Sequence, residues 1–166
     1  MLHTLIHQID RLIGFPEASA HCDIPCKIYD PSTAQIAALT VIRMVDMINE
    51  LPDENLSRAQ QAQLSRLVAQ KEEHAIKVKE EIRVIWGDYF KQPQFDQVPG
   101  VHELVHNIML QGSKCKQNID RDAGVALLKL VNEFAEAFWK TKDVDTYTAT
   151  CPYPPSESVV YPKLDG

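Results

Sequence analysis

Four segments of the sequence repeat apolar residues at intervals of three and four positions, the spacing of one face of an α-helix. They cover about 31–51, 55–87, 100–112 and 120–141. The connections between them are short, and no segment alternates apolar and polar residues over a useful length, as a half-buried β-strand does. The sequence therefore predicts an all-α fold, an antiparallel up-and-down four-helix bundle.

Local signals set the expected helix ends. Asp30-Pro31 is a good N-cap followed by a first-turn proline, Pro52-Asp53 predicts a turn, and Gly112 is expected to end the third helix. An irregular connection is expected at 88–93. The apolar residues predicted to face the core are Val41, Met44, Val45, Ile48, Leu51, Leu64, Leu67, Val68, Ala75, Val78, Ile82, Ile85, Val101, Leu104, Val105, Ile108, Leu127, Leu130, Val131, Phe134 and Phe138.

Residues 1–20 form a separate amphipathic segment that Gly14 and Pro16 bring to a stop. Its ending, Ala18-Ser19-Ala20, resembles a signal-peptidase site. However, no lysine or arginine precedes the apolar stretch and polar residues interrupt it. These features favour a removable pro-segment over a secretory signal, and we expect a cytoplasmic protein.

The last stretch, 143–166, contains four prolines and three tyrosines without periodicity. It is predicted to be either a mobile tail or an arm on a neighbouring subunit, and the sequence does not decide between them. Cys115 and Cys151 have no metal-ligating neighbours, so we expect free thiols.

Net charge and length exclude some classes of protein. A length of 166 residues predicts one domain that is large enough to bury a sizeable core. Its net charge of -6 argues against a nucleic-acid partner. No apolar run approaches the roughly 20 residues that span a membrane. An anionic substrate would need local positive charge to overcome the overall field.

The most informative motif is His21-Cys22-Asp23-Ile24-Pro25-Cys26. Two thiolates separated by three residues, with a turn at Pro25, can reach one metal ion. Thiolate and imidazole ligands suit zinc, nickel, copper or iron, so these residue types leave the metal open. A structural zinc site wants four protein ligands, and no matching pair of cysteine or histidine follows downstream. The spacing favours metal binding over a local disulfide.

The segment HCDIPCKIYDP at 21–31 resembles the hook signature of nickel superoxide dismutases, H-C-D-x-P-C-G-x-Y-D-P. Residues 86–93, WGDYFKQP, resemble the W-x-D-Y-F-K-x-P block of the same family. Two further blocks, at 102–105 and 138–142, are also similar to that family. All four occur in the family's order, and together they cover 21–142.

The resemblance implies a superoxide dismutase that binds one nickel ion per subunit. The implied ligands are the α-amine and imidazole of His21, the amide nitrogen and thiolate of Cys22, and the thiolate of Cys26. A peptidase that cuts between Ala20 and His21 would create the free amine, whose ordinary pKa of about 7.7–8.0 lets a metal displace its proton. Before cleavage that nitrogen is a peptide amide and a poor ligand.

The resemblance also implies an organisation. Residues 1–20 are the pro-segment, 21–30 the hook, 21–142 the hook with its bundle, and 143–166 lies beyond the family core. The family assembles as a homohexamer with the hooks facing its interior, so the same is expected here.

Four residues are expected to complete the catalytic pocket: Tyr29, Tyr89, Asp23 and Lys91. The tyrosines would stand over the open face of the metal and limit access to small anions, and Lys91 would supply the local positive charge. Proton delivery is expected from ordered water or backbone.

Three positions depart from the family pattern. A glutamate and an arginine that steady the axial histidine in other members are replaced here by Ala37 and His74, so either His74 orients His21 or the ligand is held differently. Lys27 replaces the usual glycine of the hook, where it would stiffen the hook or add positive charge.

Two other functions compete with dismutation. His102-Glu103-Leu104-Val105-His106 matches the H-E-x-x-H signature of zinc metallopeptidases, with Glu133 or Glu136 as possible third ligands. The extended motif fails, because Met109 and Gly112 stand where it requires glycine and histidine. The second alternative is a non-catalytic nickel-binding protein, which would need no tyrosines over the metal.

Overall fold

The computed structural model describes residues 27–164, and most of these residues form helices. The predicted pro-segment helix and most of the hook lie outside them. The elements are helices α1 (Ser32–Asn49), α2 (Arg58–Val84), α3 (Gln92–Gln97), α4 (Val101–Gln117) and α5 (Arg121–Lys140), a π-helical turn (Ile85–Tyr89), and strands β1 (Thr146–Thr150) and β2 (Ser158–Pro162).

The four long helices pack in a closed ring, in the order α1, α2, α4 and α5, with α5 returning to α1. Each helix contacts the next long helix along the chain, as an up-and-down bundle requires. The predicted fold class is therefore confirmed. The start of α1, the end of α2, the start of α4 and the end of α5 all lie at the same end of the bundle. Within 27–164, no helix is both long enough and apolar enough to cross a membrane.

Side chains near the helix starts use their oxygens to satisfy backbone N–H groups. Ser57 forms a capping box with Gln60 at the start of α2. The Asp120 carboxylate accepts from the Ala123 N–H at 3.1 Å, and this hydrogen bond lowers the pKa of Asp120. At α1 the carboxylate of Asp30, the predicted cap, accepts from the Ser32 N–H at 2.7 Å. The predicted helix starts therefore agree with the structure to within a few residues.

The core follows the predicted helical stripes. Most of the predicted inward residues are buried, and Met44, Leu51, Leu64, Val68, Leu104 and Leu130 are half-buried. An aromatic cluster forms the core at the end of α2, where the Phe90 ring lies 5.7 Å from that of Phe134 and 5.9 Å from that of Phe95. The stripes of α1 also contain small residues that the prediction did not name: Ala34, Ala37 and Ala38 are almost completely buried.

The predicted end of the third helix at Gly112 is wrong, because α4 continues to Gln117. Gly112 is buried against α2, where a Cβ would lie 2.9 Å from Cγ of Lys79. The glycine therefore allows the two helices to approach closely and does not stop the helix. Pattern reading could not separate these two uses of glycine.

The C-terminal stretch is neither of the two predicted alternatives. It forms an antiparallel hairpin in which Tyr147 pairs with Tyr161, and it packs on the chain's own bundle. Val159 and Val160 of β2 are buried. The prediction that this chain has no strands is therefore wrong. Each strand spans only five residues, which is too short for the alternation of apolar and polar residues to be recognised in the sequence.

Polar side chains attach the hairpin to the bundle. Gln35 Nε2 on α1 donates to the Val160 carbonyl at 2.8 Å and to Asn132 Oδ1 at 3.0 Å. Asn132 on α5 donates in turn to the Ser158 carbonyl at 2.9 Å. Arg121 donates to Glu157 at 2.7 Å and to Asp46 at 2.8 Å. The hairpin therefore ties the first turns of α1 to the middle of α5.

A buried ammonium closes the C-terminal end of α4. Lys71 on α2 is only 1% exposed, and its Nζ donates to the carbonyls of Cys115, Lys116 and Asn118 at 2.6, 2.7 and 3.0 Å. The last carbonyls of a helix lack partners within it, so this lysine satisfies acceptors that would otherwise remain unpaired. Burial lowers the pKa of Lys71, because removal from water disfavours the charged form.

Cys115 and Cys151 are free, as the sequence predicted, and both are buried. Burial raises the pKa of the Cys115 thiol to about 11, so it stays protonated at neutral pH. A protonated, enclosed thiol is a weak nucleophile. The role of Cys115 is therefore to pack in the hydrophobic core.

Lys71→Met is expected to lower the free energy of unfolding by about 2–4 kcal/mol, because three carbonyls lose their shared donor. Urea denaturation of the metal-free chain measures this difference. Lys77→Met is the matched control, since Lys77 is an exposed lysine on the same helix, and it should cost little. Equal losses in the two variants would contradict the capping role.

Candidate metal centre

The predicted metal ligands His21, Cys22 and Cys26, together with Asp23, lie outside the described residues. The structure describes the chain from Lys27, immediately after the last predicted ligand. Lys27 has a φ of 59°, in the left-handed region that favours glycine. The position where the resemblance expects a glycine therefore has the backbone conformation of one, although a lysine occupies it.

Tyr29 and Tyr89, which are 60 positions apart in the sequence, lie side by side in the structure. Their ring centroids are 5.7 Å apart at an angle of 46°. Tyr29 precedes α1, whereas Tyr89 follows α2. Because both helix ends lie at the same end of the bundle, the fold brings these two predicted residues together where the hook joins α1.

The π-helical turn Ile85–Tyr89 determines where Tyr89 lies. In it, the Phe90 N–H donates to the Ile85 carbonyl at 3.3 Å, five residues back. Such turns are rare in proteins, and many of those known lie at functional sites. The turn leaves Phe90 in the core and Tyr89 half-buried at the end of the bundle. The irregular connection predicted at 88–93 is thus a widened helical turn followed by α3.

The Tyr89 ring is fixed by its neighbours. Its centroid lies 5.0 Å from that of Phe138 and 5.4 Å from that of Phe90, the latter edge-on. Nζ of Lys142 lies 4.5 Å from the Tyr89 ring centroid, within the range of a cation–π interaction. The phenol oxygen lies 2.8 Å from Oγ1 of Thr141. Three of these contacts come from the end of α5.

Lys91, the predicted source of positive charge, is exposed, and its Nζ donates to the Gly87 carbonyl at 3.0 Å. The structure places a second cation, Lys142, directly against Tyr89. Sequence reasoning gave neither Thr141 nor Lys142 a role, although both stand in the block at 138–142 that resembles the family. That block was the signal that could have identified them.

A cleft of about 190 Å³ adjoins Tyr29. Ile28, Asp30 and Thr33 line it from the start of α1, and Glu81 and Val84 line it from α2. Ile28 is 78% exposed. The surface beside the hook is therefore concave, with an apolar residue at its edge.

Apart from Lys27, the two positions that depart from the family pattern occupy different environments. Ala37 is 1% exposed on the inner face of α1. His74 is half-buried on α2, and its Nδ1 lies 2.8 Å from the carbonyl of Gln70, one turn earlier in the same helix. Because a carbonyl only accepts, Nδ1 of His74 is the donor in this contact.

The H-E-x-x-H sequence has another use in this structure. His102 and His106 are both exposed on α4. Nδ1 of His102 accepts from Trp86 Nε1 at 3.1 Å, and its ring lies 4.4 Å from that of Phe95. An indole nitrogen can only donate, so Nδ1 of the neutral imidazole carries no hydrogen and Nε2 carries one. In this arrangement neither nitrogen of His102 has a lone pair free for a metal, because Nδ1 accepts from Trp86 and Nε2 carries the hydrogen.

Among residues 27–164, no group of three or more His, Cys, Asp or Glu side chains is arranged to hold a metal ion. Neither Glu133 nor Glu136 therefore completes a site with the histidines of α4. The ligands predicted for the hook, two thiolates with nitrogen donors, are of types that suit nickel as well as zinc, copper or iron.

Comparison with known proteins identifies the family. The family model described as nickel-containing superoxide dismutase matches residues 16–142. The chain is 33% identical over 124 residues to the superoxide dismutase [Ni] of Streptomyces coelicolor, which covers 75% of this chain and 89% of that protein. It is 32% identical over 126 residues to the corresponding enzyme of Streptomyces seoulensis, covering 76% and 91%.

The chain is also similar to solved structures of nickel superoxide dismutases. A native nickel superoxide dismutase structure is similar to this chain with a TM-score of 0.65 and 33% identity, over 74% of this chain and 99% of the other. An apo structure of a nickel superoxide dismutase is similar with a TM-score of 0.62 and 29% identity, over 70% and 98%. The match to the family model stops before the C-terminal hairpin.

His106→Ala is expected to leave the metal content unchanged, whereas His102→Ala should cost about 1 kcal/mol of stability, because the Trp86 N–H loses its acceptor. Elemental analysis and urea denaturation measure the two effects. One zinc ion per chain that is lost in either variant would show that the motif binds metal after all.

Proposed function

The chain belongs to the nickel-containing superoxide dismutase family, and from this premise we propose how its own residues perform the reaction. As a member of this family it is an oxidoreductase with a nickel cofactor. One superoxide is oxidised to dioxygen, and a second, with two protons, is reduced to hydrogen peroxide. Bound nickel supplies the electron relay by alternating between its divalent and trivalent states.

The proposed ligands are His21, Cys22 and Cys26. The amine and imidazole of His21, the amide nitrogen and thiolate of Cys22, and the thiolate of Cys26 form a donor set rich in anionic sulfur and nitrogen. Such donors push electron density onto the metal and bring its higher oxidation state within reach. The absence of any other group of ligating side chains among residues 27–164 supports this assignment.

The observation that carries the proposal is the pairing of Tyr29 with Tyr89, whose ring centroids are 5.7 Å apart. Tyr29 stands three residues after Cys26, so the pair lies within reach of a metal held by the hook. We assign to the two rings the role of narrowing access to small anions and holding water. A carrier of nickel needs no such pair.

Charged residues complete the proposed pocket. Asp23 belongs to the hook, and Lys91 follows the turn that carries Tyr89. The contact of Lys142 with Tyr89 adds a second positive charge next to the proposed centre. In a chain with a net charge of -6, such local cations favour the approach of an anionic substrate.

Residues 1–20 are proposed to be a pro-segment that a peptidase removes between Ala20 and His21. Removal converts an amide nitrogen into an amine and so completes the donor set. We also propose a cytoplasmic location. The interrupted apolar stretch of the pro-segment and the unpaired thiols of Cys115 and Cys151 support it.

A homohexamer is the proposed assembly, with the hooks turned inward. The exposed isoleucines at the start of α1, Ile28 and Ile36, support a neighbour at this end of the bundle, because they are 78% and 57% exposed. Light scattering on the nickel-loaded protein is expected to give six times the mass of the processed chain. A monomeric mass together with full activity would contradict this assembly.

A chain that begins at His21 is expected to bind one nickel ion and to dismute superoxide. The matched control begins at Ala20, because it keeps every side chain of the hook and differs only in having a peptide amide at His21. We expect its turnover to be lower by about a hundredfold or more. Elemental analysis and pulse radiolysis measure nickel content and turnover.

Cys22→Ser in the processed chain tests the thiolate ligands in the same assays, and Cys151→Ala controls for the loss of a distant thiol. Nickel content is expected to fall only in the first variant. Nickel bound without turnover in the parent would favour a non-catalytic carrier. A full-length chain as active as the processed one would overturn the proposal.

A further inference from the structure

The hydroxyl of Thr141, at the C-terminal end of α5, lies between two other oxygens. Its Oγ1 is 2.7 Å from the Phe138 carbonyl and 2.8 Å from the phenol oxygen of Tyr89. Both distances are those of good O–H···O hydrogen bonds. A threonine hydroxyl has only one hydrogen, so it can donate in only one of these contacts.

The carbonyl of Phe138 decides the direction of both bonds. A carbonyl oxygen has no hydrogen to give, and two oxygens 2.7 Å apart need a hydrogen between them. Thr141 therefore donates to Phe138. In its contact with Tyr89 the threonine oxygen is the acceptor, and the phenol hydrogen of Tyr89 points at Thr141.

We propose that Thr141 is a positioning residue that holds the phenol hydrogen of Tyr89 on its own hydroxyl oxygen, so that Tyr89 has no hydrogen bond to donate to a small anion in the proposed pocket. This inference rests on the proposed function, because it needs the nickel centre to lie beside Tyr89. It concerns the direction of one hydrogen, which the family resemblance does not specify.

The packing of Tyr89 limits the alternatives. Phe138 and Phe90 hold the ring at centroid distances of 5.0 and 5.4 Å, and Lys142 stands over its face. The ring is therefore held, and the remaining freedom is rotation of the O–H bond. As long as Thr141 accepts that hydrogen, the phenol oxygen offers only lone pairs to any other partner.

Lone pairs attract the hydrogens of water and repel anions. Tyr89 thus holds water at the pocket without giving an anion a hydrogen bond that would retain it. A substrate or competing anion is then free to leave. Without Thr141 the same phenol would donate to any anion in the pocket and bind it more tightly.

Thr141→Val tests this directly, because valine has nearly the same shape and no acceptor. In the nickel-loaded, processed protein, we expect the inhibition constant of azide, a small monoanion, to fall by roughly three- to tenfold. Thr141→Ser keeps the oxygen and should behave like the parent. An unchanged inhibition constant in Thr141→Val, with Tyr89→Phe altering it, would overturn the inference and leave the proposed function intact.

Tyr89→Phe is the control variant, since phenylalanine has no phenol hydrogen that loss of Thr141 could make available to an anion. Adding Thr141→Val to it should have no further effect on azide inhibition. If neither Tyr89→Phe nor Thr141→Val changes the inhibition constant, Tyr89 does not face the anion site and both the inference and the proposed pocket fail.

The hydrogen bond itself is tested without nickel. In urea denaturation of the metal-free chain, the double variant should lose less stability than the sum of the two single variants, because both remove the same bond. Thr141→Ala replaces Thr141→Val if the latter does not fold. Simple additivity of the losses would overturn the proposed bond.

Discussion

The structure depends on the convergence of three chain segments at one end of the bundle. The start of α1 contributes Tyr29, the end of α2 contributes Tyr89, and the end of α5 contributes Phe138, Thr141 and Lys142. The up-and-down arrangement places these termini together, because each long helix reverses the direction of the previous one. The contacts around Tyr89 are therefore a consequence of topology, and helix packing far from the site keeps them in register.

The C-terminal hairpin strengthens the same arrangement by polar contacts. Gln35 and Asn132 share hydrogen bonds with each other and with the backbone of β2. These side chains belong to α1 and α5, two of the helices whose ends form the site. Buried amides of this kind hold neighbouring elements in one register, because a shifted register would leave them unpaired. The hairpin thus ties α1 to α5 in addition to the direct packing between these two helices.

Helix identity, order and core stripes could be predicted because apolar spacing reports burial directly. What failed depended on partners distant in the sequence. In the sequence alone, Gly112 resembles the glycine that ends a helix, and only the fold shows that it makes room for Lys79 of α2. The hairpin strands are recognisable only through their pairing and their contacts with α1 and α5. In the site, Tyr29 and Tyr89 could be named from their motifs, whereas the contacts of Thr141 with Tyr89 required the fold. Motifs name residues, and topology decides which of them touch.

The two histidines of α4 illustrate why a matching pattern does not determine its chemistry. A metal-binding histidine needs a free lone pair on the nitrogen that faces the metal, and the hydrogen bond at its other nitrogen decides this. Trp86 donates to Nδ1 of His102, which places the hydrogen on Nε2. A carboxylate or carbonyl in the place of Trp86 would have reversed that assignment. The hydrogen-bond partner of one ring nitrogen therefore decides whether a histidine can act as a metal ligand. The same reasoning, from which atoms can donate and which can only accept, assigns the direction of the phenol O–H bond of Tyr89.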